Sequence, residues 1–185
     1  MKLTTKRLIL RDVNSGDAKD IAENANDYDV WYFTDSIPYP YRLKDAKFFI
    51  NKCKREQKEK VRKSYNLGIT IRGKNEVIGL IGLFHINKLH KHAEIGYWLG
   101  KKYRRMGIIS EAEEAILNFG FSKLKLNKIY GKAMIKNDGS NKLFEKFGFR
   151  KVGVLKEELI KKREKKDVYQ WELLKGDWMR VRRKS

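Results

Sequence analysis

Apolar and polar residues alternate from Arg7 to Val13, with Leu8 and Leu10 on one face and Ile9 and Arg11 on the other. This period of two predicts a strand. Asp12 to Asp29 then reads as a helix, capped by Asn14 or Ser15, with Asp17 and Asp20 near its positive end. The aromatic run Tyr28 to Thr34 leads into Ile37 to Tyr41, which holds both prolines, and the stretch predicts an ordered loop. Helical spacing resumes over Leu43 to Lys63, with Ala46, Phe49, Ile50 and Cys53 on one face and a basic end, Lys52 to Lys63.

From Ser64 the period returns to two. Tyr65 to Ile71, Val77 to Asn87 and Ala93 to Leu99 predict three antiparallel strands joined by short turns. A basic loop, Tyr103 to Gly107, opens a helix over Ile108 to Leu124 that turns Ala112, Ala115, Ile116 and Phe119 inward. Asn127 to Ile135 is a further strand. Asn137 to Ser140 caps a short helix ending at Gly148, and Phe149 to Leu159 and Val168 to Leu174 are two last strands. No repeat, linker or low-complexity block interrupts the pattern. The expectation is a single mixed α/β (α+β) domain over residues 1–178 with a basic tail, 179–185.

At 185 residues the chain buries enough surface to fold without disulfides or metal staples. Its 41% hydrophobic content excludes global disorder. The lone Cys53 excludes an internal disulfide and a multi-cysteine zinc site. His85, His90 and His92 flank a turn with only Glu94 at ligand spacing, so no metal is expected. No signal peptide or spanning segment is visible, which predicts a cytoplasmic protein with no membrane partner. The formal charge is +20. A field of that sign suits nucleic acid, an acidic protein or a phosphorylated co-substrate, and disfavours a small polycation; abundant lysine is also a plain solubility device.

One stretch carries chemistry. A strand ending at Leu99 runs through Arg104, Arg105 and Gly107 straight into a helix. Free backbone N–H groups at a helix start, with glycine allowing close approach and arginines beside it, suit a pyrophosphate.

The same stretch resembles motif A of the GNAT superfamily of acetyl-CoA-dependent N-acetyltransferases. The Gln/Arg-x-x-Gly-x-Gly/Ala signature stands here as Arg104-Arg105-Met106-Gly107-Ile108-Ile109, with Ile109 in place of the small residue. The runs Ala93–Leu99 and Gly107–Ala112, the block Asn137–Phe149 and the block Asp167–Leu174 followed by Trp178 resemble the branch that acetylates ribosomal-protein N-termini. The likeness runs from about Leu3 to Trp178.

The resemblance implies a GNAT fold: a mostly antiparallel sheet of about seven strands with helices on both faces. A bulge in Ala93 to Leu99 splays two central strands to hold CoA. It implies pantetheine contacts at the backbone of Trp98 and Leu99 and at Asn137, and a pyrophosphate on the Arg105 to Ser110 amides. Transfer of acetyl from a thioester to an amine needs a neutral amine, a donor for the developing oxyanion and a proton for the thiolate. The resemblance puts Ser140 at the sulfur as general acid, although Ser140 also reads as a helix cap. The oxyanion donor is the N–H of Leu99 or Trp98. For the base, Glu157 and Glu158 both stand beside the family position, which falls at Leu159. By strand parity Glu157 faces the cleft, and Glu158 does so only if a bulge intervenes. Glu94 and a water chain are alternatives. Trp31, Tyr39 and Tyr41 are the candidate acceptor-site aromatics. The expected partners are acetyl-CoA, a protein N-terminus of acidic ribosomal type, RNA or the ribosome through the basic surface, and a second copy of the chain. The rival reading is a basic RNA-binding module whose acetyltransferase chemistry has been lost, or a small-amine acetyltransferase.

Overall fold

The protein, in a computed structural model, is described over residues 1–184. Eight strands form one sheet: β1 (Lys2–Thr4), β2 (Leu8–Asp12), β3 (Tyr65–Ile71), β4 (Gly79–Asn87), β5 (His92–Leu99), β6 (Lys128–Met134), β7 (Arg150–Lys161) and β8 (Glu164–Leu174). Their order is β1-β2-β3-β4-β5-β6-β8-β7, and only β5 and β6 run parallel. Among the described residues there are six α-helices: α1 (Ala18–Ala25), α2 (Tyr28–Phe33), α3 (Leu43–Gln57), α4 (Ile108–Asn118), α5 (Asp138–Lys146) and α6 (Lys175–Lys184).

The alternation read from the sequence sorts the strands' side chains into two cores. Leu8, Leu10, Leu67, Ile69, Leu83, Ile95 and Ile129 pack with Ile108, Ile116 and Phe121 of the α4 region, with Phe144 of α5 and with Trp178 of α6. Val77, Leu80 and Trp98 pack on the other face with Ile21, Val30, Ile50 and Cys53 from α1 to α3.

Several boundaries differ from the sequence expectation. The helix expected over Asp12 to Asp29 is a 3-10 turn, then α1, then α2. Asn26 ends α1 and Asp27 restarts the chain by accepting from the Val30 N–H at 3.1 Å. That cap makes Tyr28 to Phe33 helical, where a loop was expected. α3 stops at Gln57 and not at Lys63 because Arg62 leaves to pair with Asp12 at 2.6 Å and to sit 4.2 Å over the Tyr65 ring. The short β1, unforeseen, raises the strand count from about seven to eight. β7 and β8 extend to a two-residue turn, Lys162-Arg163, both at positive φ. Residues 179–184 continue α6, so the stretch expected as a basic tail is helical to Lys184.

The central feature is a fork. β5 and β6 pair only at His92–Lys128, Ala93–Ile129 and Glu94–Tyr130. Beyond Glu94, β5 stays paired to β4 as far as Leu99, and β6 stays paired to β8 as far as Met134, so their facing edges part. The expected splay is present, but the bulge is not in β5. It lies in β4, between Phe84 and Asn87, with His85 at φ 49°.

Candidate active site

The loop from β5 to α4 closes one end of the fork. Gly107, at φ 71°, is the N-terminal cap of α4, in a conformation that side chains other than glycine's adopt only under strain. Arg105 is also left-handed, at φ 62°. Among the described residues, the N–H groups of Arg105 to Ser110 have no protein acceptor. The first turn of a helix leaves such donors free, and here they converge beside Arg105, which is exposed and unpaired.

Arg7 of the loop before β2 fixes this turn from behind. Its Nε donates to Glu111 at 2.6 Å and its Nη1 to the Met106 carbonyl at 3.0 Å. Burial opposes ionisation of Glu111. Hydrogen bonds from Thr5 and from the Arg7 backbone and side chain nevertheless hold its carboxyl below the ordinary range.

Arg104 does not project into the anion cradle. Its guanidinium donates to Asp27, to Asp29 at 2.9 Å and, through Nε, to the Leu99 carbonyl at 3.2 Å. The side chain expected at the pyrophosphate therefore latches the loop to the N-terminus of α2. Desolvation pushes the Asp27 carboxyl up, but Arg104 and the Val30 N–H outweigh it and hold the carboxyl below its usual value. Met106 is exposed, Ile108 is buried beneath the turn and Ile109 is half-buried against the core. The Ser110 hydroxyl accepts from Lys146 at 2.6 Å.

The strand edge separates Leu99 from Trp98. Gly100 donates to the Ile78 carbonyl at 2.9 Å, so alternation turns the Trp98 amide toward β4 and those of Tyr97 and Leu99 toward the fork. The Trp98 carbonyl agrees, lying so close to Gly79 that a Cβ there would sit 2.5 Å from it. Trp98 is thus a core aromatic, 9% exposed, with its N–H spent on the neighbouring strand. Leu99 alone of the two presents its amide to the open edge.

Across the fork, Asn137 caps α5 by accepting from the Ser140 N–H at 3.2 Å, which leaves its NH2 group available. Ser140 stands beside the Tyr97 hydroxyl. Asn141, which the sequence reading passed over, donates to the Met134 and Ile135 carbonyls, both at 3.1 Å, and accepts from Trp171 Nε1 at 3.1 Å. It anchors the start of α5 to the end of β6.

On the opposite face of the sheet, Glu94 stands where the fork opens, with His85 Nδ1 3.2 Å from its carboxylate. Lys132 of β6 pairs with Glu158 at 2.5 Å, and that bond, opposed by partial burial, raises the lysine's pKa. Glu157 does not share this face, contrary to the parity expectation. Three β7 residues between Leu155 and Leu159 oppose the single Asp167, and the bulge puts Glu157 at φ 54°. Its side chain pairs with Lys165 at 2.5 Å on the exposed hairpin. The bulge that Glu158 required is present.

Trp31 and Tyr39 belong to one aromatic group with Tyr28 and Tyr32, with ring centroids 5.2–6.1 Å apart. Lys161, buried, donates to the Trp31 carbonyl at 2.8 Å and sits 5.2 Å over its ring, while Lys162 lies 5.1 Å over Tyr28. Desolvation lowers the pKa of Lys161. Tyr41 is no part of this wall. It is 8% exposed in the α1–α3 core, where burial pushes its hydroxyl up to about 12. Among the described residues no group of three His, Cys, Asp or Glu side chains is placed to hold a metal, and His90 simply stacks on His92.

The anion cradle, the open strand edges and the fork between them form the site to which known proteins can be compared. Residues 7–150 match the acetyltransferase (GNAT) domain family. The chain belongs to the GNAT family. The uncharacterized N-acetyltransferase YnaD of Bacillus subtilis is 30% identical over 179 residues, 96% of this chain and 99% of that protein. The ribosomal-protein-serine acetyltransferase of Escherichia coli is 36% identical over 83 residues, 45% of this chain and 46% of that one. The crystal structure of spermidine N-acetyltransferase from Vibrio cholerae, in complex with CoA and spermine, superposes with a TM-score of 0.81 at 24% identity, covering 95% of this chain and 99% of that one. The protein is therefore an N-acetyltransferase that uses acetyl-CoA. No helix among the described residues is long and apolar enough to cross a membrane.

Proposed function

We propose that the acceptor is the N-terminal amine of an acidic protein, of ribosomal type, acetylated by direct attack while both substrates are bound. The observation that carries this reading is the charge of the acceptor face. Its carboxylates Glu158 and Glu94 are already partnered by Lys132 and His85, and its rim carries Lys162 over the Tyr28 ring, with the exposed Arg163 next to it in the β7–β8 turn. A polyamine carries several cations and finds these two carboxylates already partnered, whereas an acidic chain finds cations. A cavity of about 320 Å³ ringed by Lys88, Lys91, Lys123 and Lys125, none ion-paired among the described residues, adds a second cationic surface.

Acetyl-CoA supplies the acetyl group as a thioester. The amides of Arg105 to Ser110 and the Arg105 side chain hold the pyrophosphate, while the Leu99 edge and the Asn137 NH2 group align the pantetheine. The Leu99 N–H receives the charge that develops on the carbonyl oxygen. Glu158 takes the proton of the incoming amine, with Glu94 at the fork as the second carboxylate, and Ser140 O–H donates to the departing sulfur.

The test is direct: peptides with free N-termini, an acidic ribosomal-type protein and spermidine are offered with acetyl-CoA, and acetylated products are located by mass spectrometry. Acetyl on an α-amine supports the reading. Acetyl on spermidine alone overturns it in favour of a small-amine acetyltransferase, and salt-dependent RNA retention without turnover favours the binding-module rival.

A further inference from the structure

Beneath the fork lies a polar group that the mechanism above does not use. Glu113 is on the inner face of α4, between the buried Ala112 and Ile116, and is 0% exposed. Neither carboxyl oxygen has a hydrogen-bond partner in the protein. The Tyr97 hydroxyl is also sealed from solvent. It has Ser140 and Glu113 as polar neighbours, yet completes a hydrogen bond with neither. The charged and titratable groups facing Glu113 are Lys146 from α5, whose Nζ is bound to Ser110, and Tyr97 from β5.

Orphaned buried polar atoms are rare in folded proteins, and two such groups adjoining a reacting centre call for a reason. Hydrogen bonds at active sites are commonly long before substrate binds and tighten afterwards. Tyr97 of β5 stands beside Ser140 of α5 and interacts electrostatically with Glu113 of α4, so it is the group through which the buried carboxyl can reach the slot.

We infer that Glu113 is a positioning residue for the Ser140 proton donor, acting through Tyr97. The neutral carboxyl donates to the Tyr97 oxygen, and the Tyr97 O–H donates to Ser140 Oγ. The Ser140 proton is left free to point at the sulfur. An ionised Glu113 is an acceptor only. It draws the Tyr97 O–H to itself, and the Ser140 proton swings toward Tyr97 and away from the slot. The charge on one carboxyl thus sets the direction of both hydrogen bonds. Burial favours the donating form, because desolvation holds the proton on Glu113 up to about pH 8. No proton passes through Glu113. The inference rests on the reading of Ser140 as the donor to sulfur.

Infrared spectroscopy of the full chain, with and without saturating acetyl-CoA, tests it. The carbonyl stretch of protonated Glu113 is assigned by its loss in Glu113→Gln. The expected result is a protonated band at pH 7 that shifts on acetyl-CoA binding, with the shift abolished in Tyr97→Phe. A band missing at pH 7, or one indifferent to Tyr97→Phe, overturns the inference. The Ser140 reading fails separately: Ser140→Ala would then keep full turnover while the response through Tyr97 persists, and these hydrogen bonds would have no catalytic end. A Gln at 113 keeps a permanent donor. The ratio of Glu113→Gln to wild-type turnover should therefore rise above about pH 8, and a ratio constant from pH 6.5 to 9.5 contradicts the inference.

Discussion

Replacing Glu113 by glutamine should stabilise the fold, and by an amount that depends on pH. In the folded chain this carboxyl keeps its proton to about pH 8, against an ordinary value of 4.5. Its folded pKa is raised, so the folded state binds the proton more tightly than the unfolded chain does. The stability this confers is complete below about pH 4.5 and is lost as pH climbs to about 8. The loss is about 1.4 kcal/mol per pH unit across the window. At pH 7 wild-type folding therefore carries a penalty of about 3 kcal/mol from this one group, and of about 5 kcal/mol at pH 8. Glutamine has the same shape and no proton to lose. Glu113→Gln should match wild type near pH 4.5–5 and exceed it by about 3 kcal/mol at pH 7, or roughly 6–12 °C in Tm for a chain of this size. Urea unfolding of both proteins without ligand at pH 5, 6, 7 and 8 measures the difference, in which every other titration cancels. Parallel stability curves over that range would refute the buried, protonated Glu113. Glu113→Leu separates the remaining cost, since it also removes the orphaned polar atoms and should gain about 1–3 kcal/mol even at pH 5.

Ser140→Ala should lower kcat by roughly 10²- to 10⁴-fold with little change in acetyl-CoA affinity; an unchanged kcat would refute the donor role, since the helix start is capped by Asn137 through the Ser140 N–H, which alanine keeps. Glu158→Gln should cost a comparable factor while Glu157→Gln, which removes only an exposed pair with Lys165, leaves turnover unchanged, and equal effects of the two would contradict the bulge-set facing. Gly107→Ala should cost about 1–2 kcal/mol because its φ of 71° is left-handed. Gly107→Asp should in addition abolish the ~2.7 kcal/mol that acetyl-CoA adds at 100 times its Kd, read as a lost thermal shift.

The strands were legible where one face is buried, because alternation is then enforced by the core, as in Leu8–Leu10 and Leu67–Ile69. The anion loop was legible because Gly107 and its arginines stand between a strand and a helix with no gap. The sequence concealed features decided by single contacts. Tyr28 to Phe33 has strand-like aromatic content, and only the Asp27 cap makes it a helix. The Lys162-Arg163 turn lacks the glycine or asparagine that announces a type I′ hairpin. Arg104 reads as a phosphate ligand until Asp27 and Asp29 claim it. Glu157 and Glu158 exchange places through a bulge that no local residue pattern marks. Glu113 sits in a run of glutamates that reads as a solvated helix face, although its spacing of four from both Ile109 and Leu117 puts it inward.

The central claim, that a basic acceptor face selects the amine of an acidic protein, is tested most directly by a salt series. kcat/KM is measured for an acidic ribosomal-type protein and for a short neutral peptide with the same first residues, from low ionic strength to 1 M. A chain of net charge +20 should capture the acidic protein about 10-fold or more faster at low salt, with the advantage gone as the Debye length falls to ~3 Å, while the peptide hardly responds. Charge reversal of Lys162 and Arg163 at the acceptor rim should flatten the slope, and Lys52 to Lys63, along α3 and the segment after it, and the arginines of α6 are the further basic surfaces to reverse. Flat, parallel profiles for the two substrates would contradict the claim and reduce the charge to a solubility device.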